Sequence, residues 1–133
     1  MDFEHGKKWL SRARLKDLEI KDQIYLIEAL YTCCGLQGIN YDKISVISSP
    51  ENRLERIMVD IHEAQKKLEH LRREKEVIIR EITQKIERLG NCPEKTILMG
   101  FYVAGHEMSK IAKTLKYSEA YCYELRKKGI ERL

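Results

Sequence analysis

The sequence predicts an all-α protein, a long antiparallel helical hairpin or coiled coil followed by a C-terminal domain of three short helices. Glycine (7) and proline (2) are scarce in a chain of 133 residues, and charged residues make up 35% of it. Apolar residues recur at helical spacing through two long stretches, and strand-like alternation is nearly absent. From Pro93 onward the rhythm changes to short apolar runs separated by tight breaks.

The first helix is predicted over about residues 7–34. Leu10, Ala13, Asp17, Ile20, Ile24, Ile27, Tyr31 and Cys34 follow a 3-4-3-4 spacing that only Asp17 interrupts. Leu26 and Leu30 widen the stripe, and Trp9 is placed to anchor it. For Asp17, pairing with a lysine of a facing helix and plain solvation are both open. Gly35 is positioned as a C-terminal cap, since glycine adopts the left-handed backbone at helix ends without penalty. Residues 35–49 read as a linker carrying a short apolar patch, Ile44, Val46 and Ile47. Ser49-Pro50-Glu51 then signals a helix start: a capping hydroxyl, proline at the first position and an acid at the positive end of the dipole.

The second helix is predicted over about residues 50–89, ending at Gly90-Asn91 before Pro93. Its heptad is Leu54, Ile57, Ile61, Ala64, Leu68, Leu71, Lys75, Ile78, Ile82, Lys85 and Leu89. Forty residues make a rod of roughly 60 Å, which the first helix, on the order of 40 Å, covers only in part. The rest of the stripe needs the C-terminal domain or a second copy of the chain. A homodimer or higher oligomer is the expectation, with a monomer covered by its own C-terminal helices as the alternative. Lys75 and Lys85 would then select register. The expected division is residues 1–92 for the hairpin and 93–133 for the C-terminal domain.

In that domain Ile97, Leu98, Phe101 and Tyr102 share one face, Ala104-Gly105 breaks the helix, and Met108, Ile111, Ala112 and Leu115 resume it. After Lys116-Tyr117, Ser118 can cap a third helix. Cys122, Leu125 and Gly129 mark its inner side. A small residue (Ala112) where helices cross, a short turn and a basic last helix together describe a helix-turn-helix.

The segment LMGFYVAGHEMSKIAKTLKYSEAYCYELRKKGIERL resembles the region-4 helix-turn-helix of sigma factors. It is more similar still to the ArpU/RinA type of late-gene transcription regulators found in phages and prophages of Gram-positive bacteria. In that family a C-terminal helix-turn-helix follows a charged helical region. Glu107 stands where the family usually has a capping Ser or Thr. Lys116 stands where it often has Gly, so Lys116 has to accept whatever backbone angle the turn needs. The resemblance implies DNA binding that activates phage or prophage late genes in a bacterial cytoplasm.

Net charge is +4, and its distribution is uneven: Pro93–Leu133 holds eight Lys/Arg against five Asp/Glu, the first 92 residues seventeen against sixteen. The surplus lies where DNA binding is expected. No apolar run is long enough to span a membrane, and the N-terminus lacks a signal-peptide core. Cys33, Cys34, Cys92 and Cys122 show no zinc spacing, which fits reduced thiols in a cytosolic protein. His62 and His70, eight residues apart, do not fall on adjacent turns as paired ligands do. No phosphate-binding loop, dinucleotide fingerprint or nucleophile elbow occurs. Neither catalytic residues nor a metal or cofactor is therefore expected.

The last helix is expected to enter the major groove N-terminus first. Glu119, Ala120, Tyr121, Tyr123 and Glu124 are then the base-reading candidates. Glutamate can accept from the cytosine amino group, and Ala or a Tyr ring can pack on the thymine methyl. Lys113, Lys116, Ser118, Arg126, Lys127 and Lys128 are the phosphate-binding candidates, Ser118 by opening the first-turn N–H groups to a phosphate. The partner is double-stranded DNA, with bacterial RNA polymerase a second candidate. Two other functions remain open. One is a small-terminase-like packaging protein, since those also join a helix-turn-helix to an oligomerising hairpin. The other is an adaptor that docks polymerase without touching DNA.

Overall fold

A computed structural model of the protein describes residues 1–36 and 50–133, and among them every regular element is helical. Helix α1 spans Phe3–Tyr31 and passes into a π-helical turn, Thr32–Leu36. Helix α2 spans Pro50–Glu87 and α3 Pro93–Leu98, the latter continuing into a second π-helical turn, Met99–Val103. Helices α4 (Met108–Leu115) and α5 (Glu119–Glu131) complete the chain. The all-α class is as expected. Two boundaries differ: α1 starts four residues early, and helical winding carries on through Gly35, where a cap was expected. The linker reading, with Ile44, Val46, Ile47 and the cap at Ser49, falls outside the described residues.

The chain divides into two compact units, Met1–Asp17 with Glu74–Leu133, and Leu18–Arg73. The expected boundary at residue 92 thus lies inside the first unit. Leu10 and Ala13 of α1, Ile82 and Ile86 of α2, Leu98 of α3, Tyr102 of the second π turn and Ile130 of α5 form one buried cluster. Partly buried Phe3, Trp9, Ile78, Ile79 and Leu89 pack against it. The stretch of α2 around Ile82 and Ile86 is therefore covered by the chain's own helices. Ile86, off the heptad, is fully buried because two sets of helices press on α2 here, not one.

Ion pairs fix the register of α1 against α2 in this unit. Lys75 Nζ lies 2.5 Å from Asp17 Oδ1, Lys16 Nζ 2.6 Å from Glu74 Oε2 and Arg12 Nη2 3.1 Å from Glu81 Oε2. Residue numbers fall on α2 as they rise on α1, so the two run antiparallel here. The interruption of the seam at Asp17 and that at Lys75 thus answer each other.

In the second unit Ile20, Ile27, Ile61, Ala64 and Leu71 are buried. Gln23, outside the expected seam, is also buried, and its Nε2 donates to the Ala64 carbonyl at 2.9 Å. A buried amide is tolerated because that bond replaces one to water. Two expected seam residues, Tyr31 and Leu54, and the widening residue Leu26 stay exposed, as do Leu18, Tyr25, Met58 and Val59. The widening of the α1 stripe by Leu26 is thus not realised in the chain alone.

Candidate nucleic-acid interface

The last three helices pack around Ile97, Met108, Ile111, Ala112, Cys122 and Leu125. Small residues set the spacing. A Cβ on Gly129 would come within 3.0 Å of Glu94 Cβ and Leu98 Cδ1, so α5 lies close on α3. A Cβ on Gly100 would come within 3.2 Å of Ile111, which brings α4 against the second π turn. Gly105, at φ +74°, turns the chain between that π turn and α4.

The α4–α5 turn comprises residues 116–118. Lys116 is left-handed, at φ 61° and ψ 38°. Its N–H bonds the Lys113 carbonyl at 3.3 Å and the Tyr117 N–H that of Ala112 at 3.0 Å, which closes a Schellman motif. The expectation that Lys116 must accept an unusual angle is met. At the start of α5, Ser118 Oγ accepts from Tyr121 N–H at 3.2 Å and caps the helix as its position suggested. Glu107, the N-cap of α4, makes no side-chain cap bond.

Helix α5 turns Cys122, Leu125, Gly129 and Ile130 inward. Burial pushes the Cys122 thiol up, and the Glu119 carboxylate adds to the effect. All five base-reading candidates, Glu119, Ala120, Tyr121, Tyr123 and Glu124, are exposed. At about 100° per residue, Ala120, Glu124 and Lys127 share the middle of the outer face. Tyr123 lies to one side, Tyr121 with Lys128 to the other, and Glu119 at the margin. Lys113, Lys116, Ser118, Lys127 and Lys128 are exposed as well.

Arg126 is placed differently from its fellow candidates. It is half-buried, with its guanidinium carbon 5.1 Å from the Tyr123 ring centroid, 5.7 Å from Phe101 and 5.6 Å from Phe3. Its buried Nε has no hydrogen-bond partner, and neither does the buried Tyr102 hydroxyl. Burial raises the Tyr102 pKa above its ordinary value, while the guanidinium groups of Arg126 and Arg14 oppose that more weakly. Arg14 also donates to the Phe101 carbonyl at 2.9 Å and stacks over its ring at 4.2 Å.

Two features beside the candidates were not anticipated. Tyr117 is exposed and meets Tyr121 edge-on, with centroids 5.1 Å apart. Phe3 of α1 lies beside both Lys127 of α5 and Lys7 of its own helix. The first was signalled by its place in the turn, whereas no local pattern connects residues more than a hundred positions apart. Among the described residues no cluster of His, Cys, Asp and Glu is arranged to hold a metal, and no helix is long and apolar enough to cross a membrane. No protein-family model, curated protein or solved structure matches the chain.

Proposed function

We propose that the chain is a sequence-specific DNA-binding transcription regulator. In this reading a helical hairpin carries a C-terminal helix-turn-helix in which α4 and α5 flank the turn and α5 is the recognition helix. The observation that carries it is the outer face of α5 and its surroundings. Lys113, Lys116, Lys127 and Lys128 are exposed, and among the described residues none has a carboxylate within ion-pair distance. Elsewhere Arg12, Lys16, Lys75 and Lys95 all pair with acids. Unpaired lysines around a capped helix whose first two turns show Ala120, Tyr121 and Glu124 suit a phosphate backbone on either side of a read groove.

By the resemblance of its last third, the targets are phage or prophage late promoters in a bacterial cytoplasm, with activation the expected direction. RNA polymerase is then a second partner. A single such module makes few phosphate contacts, so two held in an oligomer would gain from effective concentration. The exposed apolar residues of the 18–73 unit, Leu18, Tyr25 and Leu26 on α1, support a homodimer or higher oligomer.

The test is capture of bound genomic DNA, followed by gel shifts on the recovered site at two salt concentrations. Lys127→Glu with Lys128→Glu is expected to abolish retention while leaving the helical circular dichroism intact. Unchanged affinity at low salt would reject DNA binding in favour of a protein-docking adaptor. A ring of eight or more subunits would instead favour packaging.

A further inference from the structure

Three cations converge on one aromatic ring where α1 begins. The Lys7 ammonium lies 5.9 Å from the Phe3 centroid, that of Lys127 5.7 Å and the Arg126 guanidinium carbon 5.6 Å. They come from opposite ends of the sequence, and the packing that joins them is close. A Cβ on Gly6 would fall 2.4 Å from Ile130 Cγ2, so the bare backbone of α1 is seated on α5. Ile130 itself is fully buried in the shared cluster.

Among the described residues no acid neutralises these charges. Asp2 accepts from the His5 N–H at 3.3 Å, and Glu4 and Glu131 are exposed without an ion pair. Glu4 stands three positions before Lys7 on α1, near it on the helix surface, yet makes no ion pair with it. The ring attracts each cation, and the cations repel one another. A bound polyanion removes that repulsion, because each phosphate it brings sits between like charges.

We propose that Lys7 belongs to the DNA interface: with Lys127 and Lys128 it holds backbone phosphates, so that α1 and α5 grip the same duplex. This rests on the DNA-binding reading above and adds a contact to it. Phosphate contacts fix register without reading sequence, so Lys7 contributes affinity alone.

The experiment is anisotropy titration of a labelled duplex of random sequence over a series of salt concentrations, with the full chain as wild type, Lys7→Gln, Lys7→Arg and Lys127→Gln. Lys7 is exposed, and circular dichroism checks that each variant folds. Loss of Lys7 should make the plot of log affinity against log salt shallower by about 0.9, and Lys7→Arg should restore it. A wild-type slope for Lys7→Gln overturns the inference whatever Lys127→Gln does, and a loss confined to Lys127→Gln leaves the DNA-binding reading standing. Failure of the wild type to bind the duplex at low salt overturns both.

Discussion

Replacing Lys116 with glycine separates what this position costs the fold from what it gives the proposed interface. The residue sits at φ 61° and ψ 38°, where a Cβ crowds the following carbonyl at a cost of roughly 1–2 kcal/mol. Glycine has no such penalty but loses more backbone freedom on folding, by roughly 0.5–1 kcal/mol. Neither hydrogen bond of the turn uses the Lys116 side chain, so both survive. The balance is a gain of about 0.5–1 kcal/mol, or about 2–5 °C in Tm for a chain of this size. The same change removes an exposed cation from the proposed phosphate set, which should make the salt dependence shallower by about 0.9. Thermal melts by circular dichroism and duplex titrations over a salt series read the two effects independently. A more stable protein with a weaker, less salt-sensitive grip on DNA is expected. A fall in Tm would refute the left-handed turn, and an unchanged slope would remove Lys116 from the interface.

Two further outcomes follow from the same geometry. Tyr102→Phe deletes a buried hydroxyl that has no hydrogen-bond partner, so it should leave stability unchanged or raise it by about 1 kcal/mol. Because the folded pKa of Tyr102 is raised, the stability tied to its neutral form is fully present below the unfolded value of 10.0 and begins to fall above it. That contribution is lost as pH climbs through the folded pKa. Denaturation series above pH 10 should therefore show the wild type losing stability faster than Tyr102→Phe, and parallel curves would count against the buried hydroxyl. Leu18→Glu with Leu26→Glu places charges on an exposed apolar face. Light scattering should show a lower mass than the wild type with helicity preserved, and an unchanged mass would place the oligomer contact elsewhere.

Local signals were legible in the sequence where one residue's chemistry decides the outcome. Ser118 caps because a short hydroxyl before a helix has few other uses, and Lys116 turned left-handed because the Schellman closure leaves no choice. Heptad spacing likewise found Leu10, Ala13, Ile61, Ala64, Leu71 and Ile82. It failed at Ile86 and Gln23, and at the exposed Tyr31 and Leu54, because periodicity assigns one inner face per helix. Two partners around α2 bury a second row, while a helix with too few partners leaves part of its row in water. The half-burial of Arg126 was hidden for a related reason. Its position on α5 borders the inner face, but the rings that hold it come from Phe3 and Phe101.

That last arrangement bears on how the proposed reading head is held. Arg126 is the half-buried phosphate candidate, and it lies over rings of α1, the second π turn and α5 at once. Gly6 against Ile130 and Gly129 against Leu98 press the same elements together through backbone. The orientation of α5 is therefore set by packing against α1 and α3 as well as by its own turn. In the proposed function, a change in the contacts of α1 would be felt by the DNA-facing residues through Phe3 and Ile130, and a fragment of residues 93–133 would lose the support of α1 while keeping that of α3.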